Sequence, residues 1–274
     1  MKNKILILGK GGFIAERLRG ELDCDISGTI LHSFTEAERE VKKYNPNVII
    51  NCIGYTGAGN VDGCEKEKDL TLFANTYMPI ILAEVALRNN MKLVHISSGC
   101  IYHYDYKRDR PLTEARVPDF FGLYYSRTKI YSERALEALC GKYNILITRI
   151  RIPLDNRPHP KNILDKLISY KKVIDIPNSI TYIPDFIGAL KHLIRVDARG
   201  IYNVVNKGGL RYPQLLDVYK RRVPEFTYSV LELKKLDMIR TNLILSTRKL
   251  ERSGFKVRGI HEVLDECVRG YVAR

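Results

Sequence analysis

The chain has 274 residues, which suits one large α/β domain or a domain with a smaller lobe. Hydrophobic residues make up 45% and charged residues 28%, an ordinary globular balance, and no apolar run approaches the roughly 18 residues that a membrane span needs. The formal net charge is +14, but the basic residues are scattered and no helix carries a basic stripe with interleaved aromatics, so the charge reads as solvated surface and not as a nucleic-acid interface.

In chain order, Lys4 to Gly9 is a short apolar run ending in glycines and predicts a buried parallel strand. It is too short for a signal-peptide core and no small-residue cleavage site follows it, so a cytoplasmic protein is expected. Phe13 to Leu22 has helical spacing, with Ile14, Leu18 and Leu22 on one face. Ile30-Leu-His32 predicts a weak second strand. Glu36 to Tyr44 predicts a polar helix stopped by Asn45-Pro46. Val48 to Ile53 is a buried strand, Leu70 to Asn89 a long helix, Lys92 to Ser97 the next strand, Tyr124 to Lys142 the next helix, and Ile145 to Ile152 a closing strand. This alternation predicts an α/β fold with a doubly wound parallel sheet of Rossmann type over residues 1–152. After Ile152, prolines cluster at Pro153, Pro158 and Pro160 and the elements shorten. Residues 153–274 read as a smaller substrate lobe with segments returning to the main domain. The six cysteines (Cys24, Cys52, Cys64, Cys100, Cys140, Cys267) show neither CxxC pairing nor metal-ligand spacing with histidine, so reduced thiols and no metal are expected.

Doubly wound sheets bind ligands beyond the carboxyl ends of their strands, and three informative stretches fall there. Gly9-Lys10-Gly11-Gly12-Phe13-Ile14-Ala15 lies between a strand and a helix. Glycines there let the backbone approach a pyrophosphate, whose charge meets the helix N-terminus. The predicted second strand runs into Leu31-His32-Ser33-Phe34 with no Asp or Glu for a ribose hydroxyl. With Lys10 in the loop and Ser33 as a further contact, this favours NADPH over NADH. Tyr125 and Lys129 stand four apart on a helix and so share a face. An ammonium beside a phenol that otherwise titrates near ~10 lowers its pKa and makes it a usable proton donor or acceptor. Ser98, at the end of the preceding strand, supplies a hydroxyl for carbonyl chemistry.

The stretches GKGGFIAERL, NPNVIINCIG, GNVDGCE, SGCIYHYD, FFGLYYSRTK, VIDIPNSIT, GIYNVVN and RTNLILSTRKL run through nearly the whole chain. In that order they resemble an extended short-chain dehydrogenase/reductase of the branch containing dTDP-4-dehydrorhamnose reductase. Within it the chain is most similar to the bifunctional 3,5-epimerase/4-reductases of UDP-rhamnose synthesis. The resemblance implies reduction of the carbon-4 ketone of a 4-keto-6-deoxy sugar nucleotide by NADPH. Tyr125 is implied as the acid, Lys129 as its lysine, Ser98 as the oxyanion partner and Asn75 as the support of the lysine. Cys100 stands where reductase-only relatives carry a different residue. With Lys166 it is implied as the pair that inverts carbons 3 and 5, a thiol and a desolvated amine being tunable proton carriers. Asn162, Asn178, Ser179 and Arg240 sit in stretches implied to hold the nucleotide sugar, Arg240 through its planar donors. A homodimer through the helices near 70–89 and 124–142 is also implied. The rival readings are a reductase alone, acting on the dTDP sugar, and a non-catalytic regulatory subunit that keeps the nucleotide fold.

Overall fold

Ile5–Leu8 and Val48–Asn51 are buried at every position, as strands covered by helices on both faces must be. The structure, a computed structural model, describes residues 4–232 and 239–273. Its strands are β1 (Ile5–Leu8), β2 (Cys24–Ser27), β3 (Val48–Asn51), β4 (Lys92–Ser98), β5 (Ile145–Ile150), β6 (Pro153–Leu154), β7 (Lys172–Ile174), β8 (Thr181–Tyr182), β9 (Gly200–Asn203) and β10 (Ser229–Leu231). Six of them form one sheet in the order β2-β1-β3-β4-β5-β9. β1 pairs parallel with both β2 and β3, and β3 parallel with β4. The chain leaves β1 for β2 on one side and returns to β3 on the other, so the switch point of this Rossmann-like sheet lies beside β1.

The second strand is Cys24–Ser27, not Ile30–His32. As the edge strand it is only partly buried and lacks the apolar run of its neighbours. The apolar look of Ile30-Leu31 belongs to the loop beyond, where Leu31 enters the core and Ile30 stays exposed. The first helix, Phe13–Arg19, stops short of Leu22 because Gly20 caps it. The next, Phe34–Tyr44, starts on a Ser33 side chain that accepts the Glu36 N–H at 3.2 Å and ends on Asn45 at φ 46°.

The helix Lys68–Arg88 is long and apolar enough to cross a membrane, yet Met78, Leu82, Val85 and Ala86 pack it into the core of this sheet. Its Phe73–Tyr77 segment is a π-turn in which the Met78 N–H reaches Phe73 O. Pro79 accounts for it: the ring has no N–H and would clash with the carbonyl of Asn75 in a regular helix.

Two compact units interleave along the chain. The first comprises the chain up to Ile101, Pro118–Arg149 and Leu193–Tyr202; the second comprises Tyr102–Val117, Ile150–His192 and the chain from Asn203. Tyr102–Val117 belongs to the second unit, and Leu193–Tyr202 returns to the first. The second unit has its own core of Leu154, Leu164, Tyr182, Leu215, Ile260 and Cys267 around the short pairs β6–β8 and β7–β10.

Inside the first unit, β4, β5 and the helix Tyr124–Cys140 are joined by a buried ion pair. Arg149 Nε donates to both Glu133 oxygens at 2.9 and 3.1 Å, and both side chains are only 1% exposed. Ser97 Oγ adds a third bond to Glu133 at 2.9 Å. Removing one partner strands the other charge in the core, so Arg149→Met should destabilise the fold by about 3–5 kcal/mol in equilibrium denaturant unfolding.

Candidate active site

The loop after β1 needs its glycines where it meets β3. Gly9 has φ 104°, and a Cβ on it would stand 2.9 Å from Ile53 N and 3.0 Å from the Cys52 carbonyl carbon. Gly9 and Lys10 N–H groups donate to Ser27 O at the end of β2, and Gly12 N–H returns to Gly9 O. The Gly11 N–H instead donates to the Glu16 carboxylate at 3.0 Å. An anion therefore already sits at this loop, where the helix that starts with Phe13 and Ile14 presents its positive end.

A cavity of about 670 Å³ opens beside the loop, lined among others by Gly9, Lys10, Gly28, His32, Phe73 and Tyr77. That volume suits a cofactor-sized ligand. The Lys10 stem lies over Gly28, since a Cβ there would be 3.2 Å from Lys10 Cβ and Cδ. No carboxylate occurs in the Gly28-Thr29-Ile30-Leu31-His32 lining. The cavity lining does include Asp69, and Glu40, buried in the next helix, accepts Ser27 Oγ at 2.6 Å and Thr29 Oγ1 at 3.0 Å. Ser33, expected at a cofactor, accepts the Glu36 N–H as the cap of the helix Phe34–Tyr44. Gly28, Thr29 and Glu40 were hidden from sequence reading by the misplaced second strand.

Tyr125, Ser126 and Lys129 share the buried face of the helix Tyr124–Cys140. Burial of Lys129 pushes its ammonium down to about 8; Glu133, Cys64 and Cys52 partly oppose that shift. A Cβ on Gly54 would lie 3.4 Å from Lys129 Nζ and 3.3 Å from Asn75 Oδ1, so the lysine head sits against the backbone after β3. Asn75, on the π-turn, accepts Tyr55 N–H at 2.8 Å and donates to Tyr55 O at 2.9 Å and Thr128 Oγ1 at 3.3 Å. It ties the loop after β3 to the helix of Lys129.

Ser98 ends β4, and its Oγ accepts the Cys100 N–H at 3.1 Å. The Cys100 carbonyl accepts Ser126 Oγ at 2.5 Å. The hydroxyl, the thiol-bearing residue and the tyrosine helix are thus locked together through backbone. The Ser98 hydroxyl keeps its own proton to donate. Just below, buried His95 bonds Asn51 Nδ2 through Nδ1 at 3.1 Å, finds no partner for Nε2 among the described residues, and is held neutral by desolvation.

The other expected residues lie in the second unit. Asn162 is buried; it caps the helix Ile163–Tyr170 by accepting Leu164 N–H, and it also bonds Asp155 and Arg157 backbone. Asn178 accepts from Arg151 and Leu243 N–H and donates to Asn242, while Ser179 Oγ accepts Leu245 N–H. These three stitch chain segments together within the second unit. Lys166 and Arg240 are half-buried. Desolvation first, then the charges of Lys161 and Arg240, lower the Lys166 pKa. No group of residues able to hold a metal occurs among the described residues.

Comparison with known proteins gives a match to the family described as RmlD substrate binding domain over residues 3–173. A bifunctional dTDP-4-dehydrorhamnose 3,5-epimerase/dTDP-4-dehydrorhamnose reductase of Arabidopsis thaliana is 30% identical over 96% of this chain and 91% of its own length. A trifunctional UDP-glucose 4,6-dehydratase/UDP-4-keto-6-deoxy-D-glucose 3,5-epimerase/UDP-4-keto-L-rhamnose-reductase of the same plant is 29% identical over 95% of this chain, which spans only 41% of that protein. Among solved structures, the UDP-rhamnose synthase of Acanthamoeba polyphaga mimivirus superposes with TM-score 0.90 at 24% identity, covering 98% of this chain and all of the other. The NADP complex of Bacillus anthracis dTDP-4-dehydrorhamnose reductase superposes with TM-score 0.84 at 22% identity, covering 97% and 98%.

Asn75→Leu should leave the Tyr55 N–H unpaired and its carbonyl with only the weak Cys64 thiol donor, and cost about 2–4 kcal/mol. Urea unfolding checks this; an unchanged midpoint would mean that the loop after β3 does not depend on the bridge.

Proposed function

The chain belongs to the RmlD substrate binding domain family, and on that premise we propose that it is an NADPH-dependent 3,5-epimerase/4-reductase converting UDP-4-keto-6-deoxy-D-glucose to UDP-L-rhamnose. The observation that carries the reading is the buried Lys129 beside Tyr125, with Ser98 and Cys100 pinned to the same helix. The Arabidopsis relatives, which name both activities on one chain, support it.

NADPH, when bound, supplies the hydride that the carbon-4 ketone receives. The glycine loop, with Gly9, Gly11 and Gly12 ahead of Phe13 and Ile14, brings the pyrophosphate to the positive end of the helix that begins at Phe13, where the Gly11 N–H would exchange the Glu16 carboxylate for it. Lys10 over Gly28 favours the extra phosphate of NADPH. Tyr125 gives its proton to the carbon-4 oxygen as the carbon is reduced, and the Ser98 hydroxyl donates a hydrogen bond to the same oxygen. Lys129 as the ammonium favours the phenolate that Tyr125 becomes. Before reduction, the ketone acidifies the hydrogens on carbons 3 and 5. Cys100 and Lys166 are assigned as the two proton carriers: one removes the proton, the electron pair moves onto the carbon-4 oxygen, and the other returns a proton. The lowered pKa of Lys166 makes its neutral amine available at lower pH than in a free lysine. Arg240 is assigned to the diphosphate. A homodimer through the helices Lys68–Arg88 and Tyr124–Cys140 fits the exposed Tyr77, Ile80 and Tyr131 on them.

The test incubates the protein with NADPH and each of the UDP and dTDP 4-keto-6-deoxy sugars in heavy water, then identifies the product. Tyr125→Phe should lower reduction by roughly 10²–10⁴-fold; a normal rate would refute the assignment. Cys100→Ala should abolish deuterium entry at carbons 3 and 5 while a pre-epimerised 4-keto sugar is still reduced. Undiminished exchange in that variant would leave Cys100 without the role, and no exchange in the parent would leave a reductase alone. No NADPH oxidation with any of these sugars would favour a regulatory subunit.

The Lys129 pKa is lowered in the fold, so its ammonium is present below about 8 and lost above it. Reduction should therefore decline as pH rises through about 8, read as an alkaline limb in the pH profile of kcat/KM. A flat profile well beyond that limb would contradict the role given to the lysine charge.

A further inference from the structure

We propose that Glu133 is a positioning residue for Lys129: its carboxylate, fixed by Arg149 and Ser97, is the counter-charge that keeps the buried amine protonated while the Tyr125 site works. The inference rests on the reading of Tyr125 and Lys129 given above.

Glu133 follows Lys129 by one helical turn, on the same buried face. Its side chain is 1% exposed and cannot swing to solvent. Both oxygens are held by Arg149 Nε, at 2.9 and 3.1 Å, and one of them also by Ser97 Oγ at 2.9 Å. A mobile carboxylate on the surface would be screened and worth little. A fixed one in a dry core is screened less by solvent and acts on the amine from a constant position, with Arg149 offsetting part of its charge. The other groups that face Lys129 are weaker sources of negative charge. Cys52, beyond β3, is a buried thiol that desolvation keeps protonated up to about 12. The Cys64 thiol, on the short helix Val61–Glu65, is likewise pushed up by burial. His95 on β4 is neutral and contributes no anion. Asn75 and Gly54 contribute dipoles and space only. Glu133 is thus the one carboxylate among the groups facing the amine. The arrangement also gives Arg149 a purpose beyond stability. Without it, the Lys129 ammonium would have to serve as the counter-ion of Glu133, and its head would be drawn along the helix, away from Tyr125.

The test uses lysine labelled with 15N at Nζ, with the Lys129 signal assigned by its loss in Lys129→Arg. Its titration needs no sugar substrate. In Glu133→Gln the Lys129 midpoint should fall by roughly one to two pH units, while Glu133→Asp should stay close to the parent. The alkaline limb of kcat/KM for NADPH-dependent reduction should move by the same amount. If Glu133→Gln does not fold because Arg149 is stranded, Glu133→Gln/Arg149→Met removes the stranded charge, and a smaller fall in the same direction is expected there. An unchanged midpoint in either folded variant overturns the proposal. A fallen midpoint in a protein that reduces no 4-keto sugar would uphold the counter-charge and overturn the reductase reading instead.

Discussion

The constraint on which the site depends is the burial of one ammonium. Lys129 is 5% exposed, and taking a lysine out of water costs several kcal/mol unless charge and dipoles are arranged around it. The surrounding construction follows from that cost. A carboxylate is needed within a helical turn, and Glu133 supplies it. A buried carboxylate also needs donors on both oxygens, so Arg149 enters from β5 and Ser97 from β4. The network that makes the amine tolerable thereby fixes the helix Tyr124–Cys140 in rotation and translation against two strands. That is why Tyr125, one turn before the lysine, has a defined direction.

The other side of the amine is built from absence of side chain. Gly54 lets Lys129 Nζ come against the backbone after β3, and Asn75 secures that backbone from the π-turn of Lys68–Arg88. Pro79, which looks like a fault in an otherwise regular helix, is the reason the turn widens at Asn75. A local defect in hydrogen bonding is used to aim one amide at two backbone atoms.

Much of this was legible in the sequence, and the reasons differ by residue. Strongly buried parallel strands announce themselves as apolar runs, so β1, β3, β4 and β5 were placed within a few residues. Edge strand β2 has the mixed pattern Cys-Asp-Ile-Ser, and the more apolar Ile30-Leu31 in the following loop masked it. The residues beyond the true strand end are Gly28 and Thr29, whereas Ser33 caps the following helix. The Tyr125–Lys129 spacing was visible because a helix repeats every few residues. The Lys129–Glu133 relation has the same spacing and went unremarked, because an i,i+4 Lys-Glu pair is usually a solvated surface bridge; only burial separates the two cases. The stretches IPNSIT and RTNLILS resemble the family closely, yet Asn178 and Ser179 bond within and between them. Part of what a shared motif preserves is scaffold, and sequence alone does not sort scaffold from contact.

The two reactions proposed for the site place opposite demands on one oxygen of the substrate. Reduction needs a proton delivered to the carbon-4 oxygen; epimerisation needs that oxygen to hold negative charge and then give it back. A donor that transfers its proton too readily serves the first reaction and ends the second. Ser98 answers the second demand: its oxygen is occupied by the Cys100 N–H, so the hydroxyl is oriented and offers a hydrogen bond without a base to take its place. Tyr125 answers the first, with a proton whose release is governed by the charge on Lys129. Cys100 shares the Ser98 clamp through its amide and the tyrosine helix through its carbonyl, so the carbon acid chemistry and the ketone chemistry are referred to one rigid frame. Dividing the oxygen between a fixed hydrogen-bond donor and a switchable acid lets one site hold the enolate long enough for carbons 3 and 5 to invert and still close the sequence by reduction.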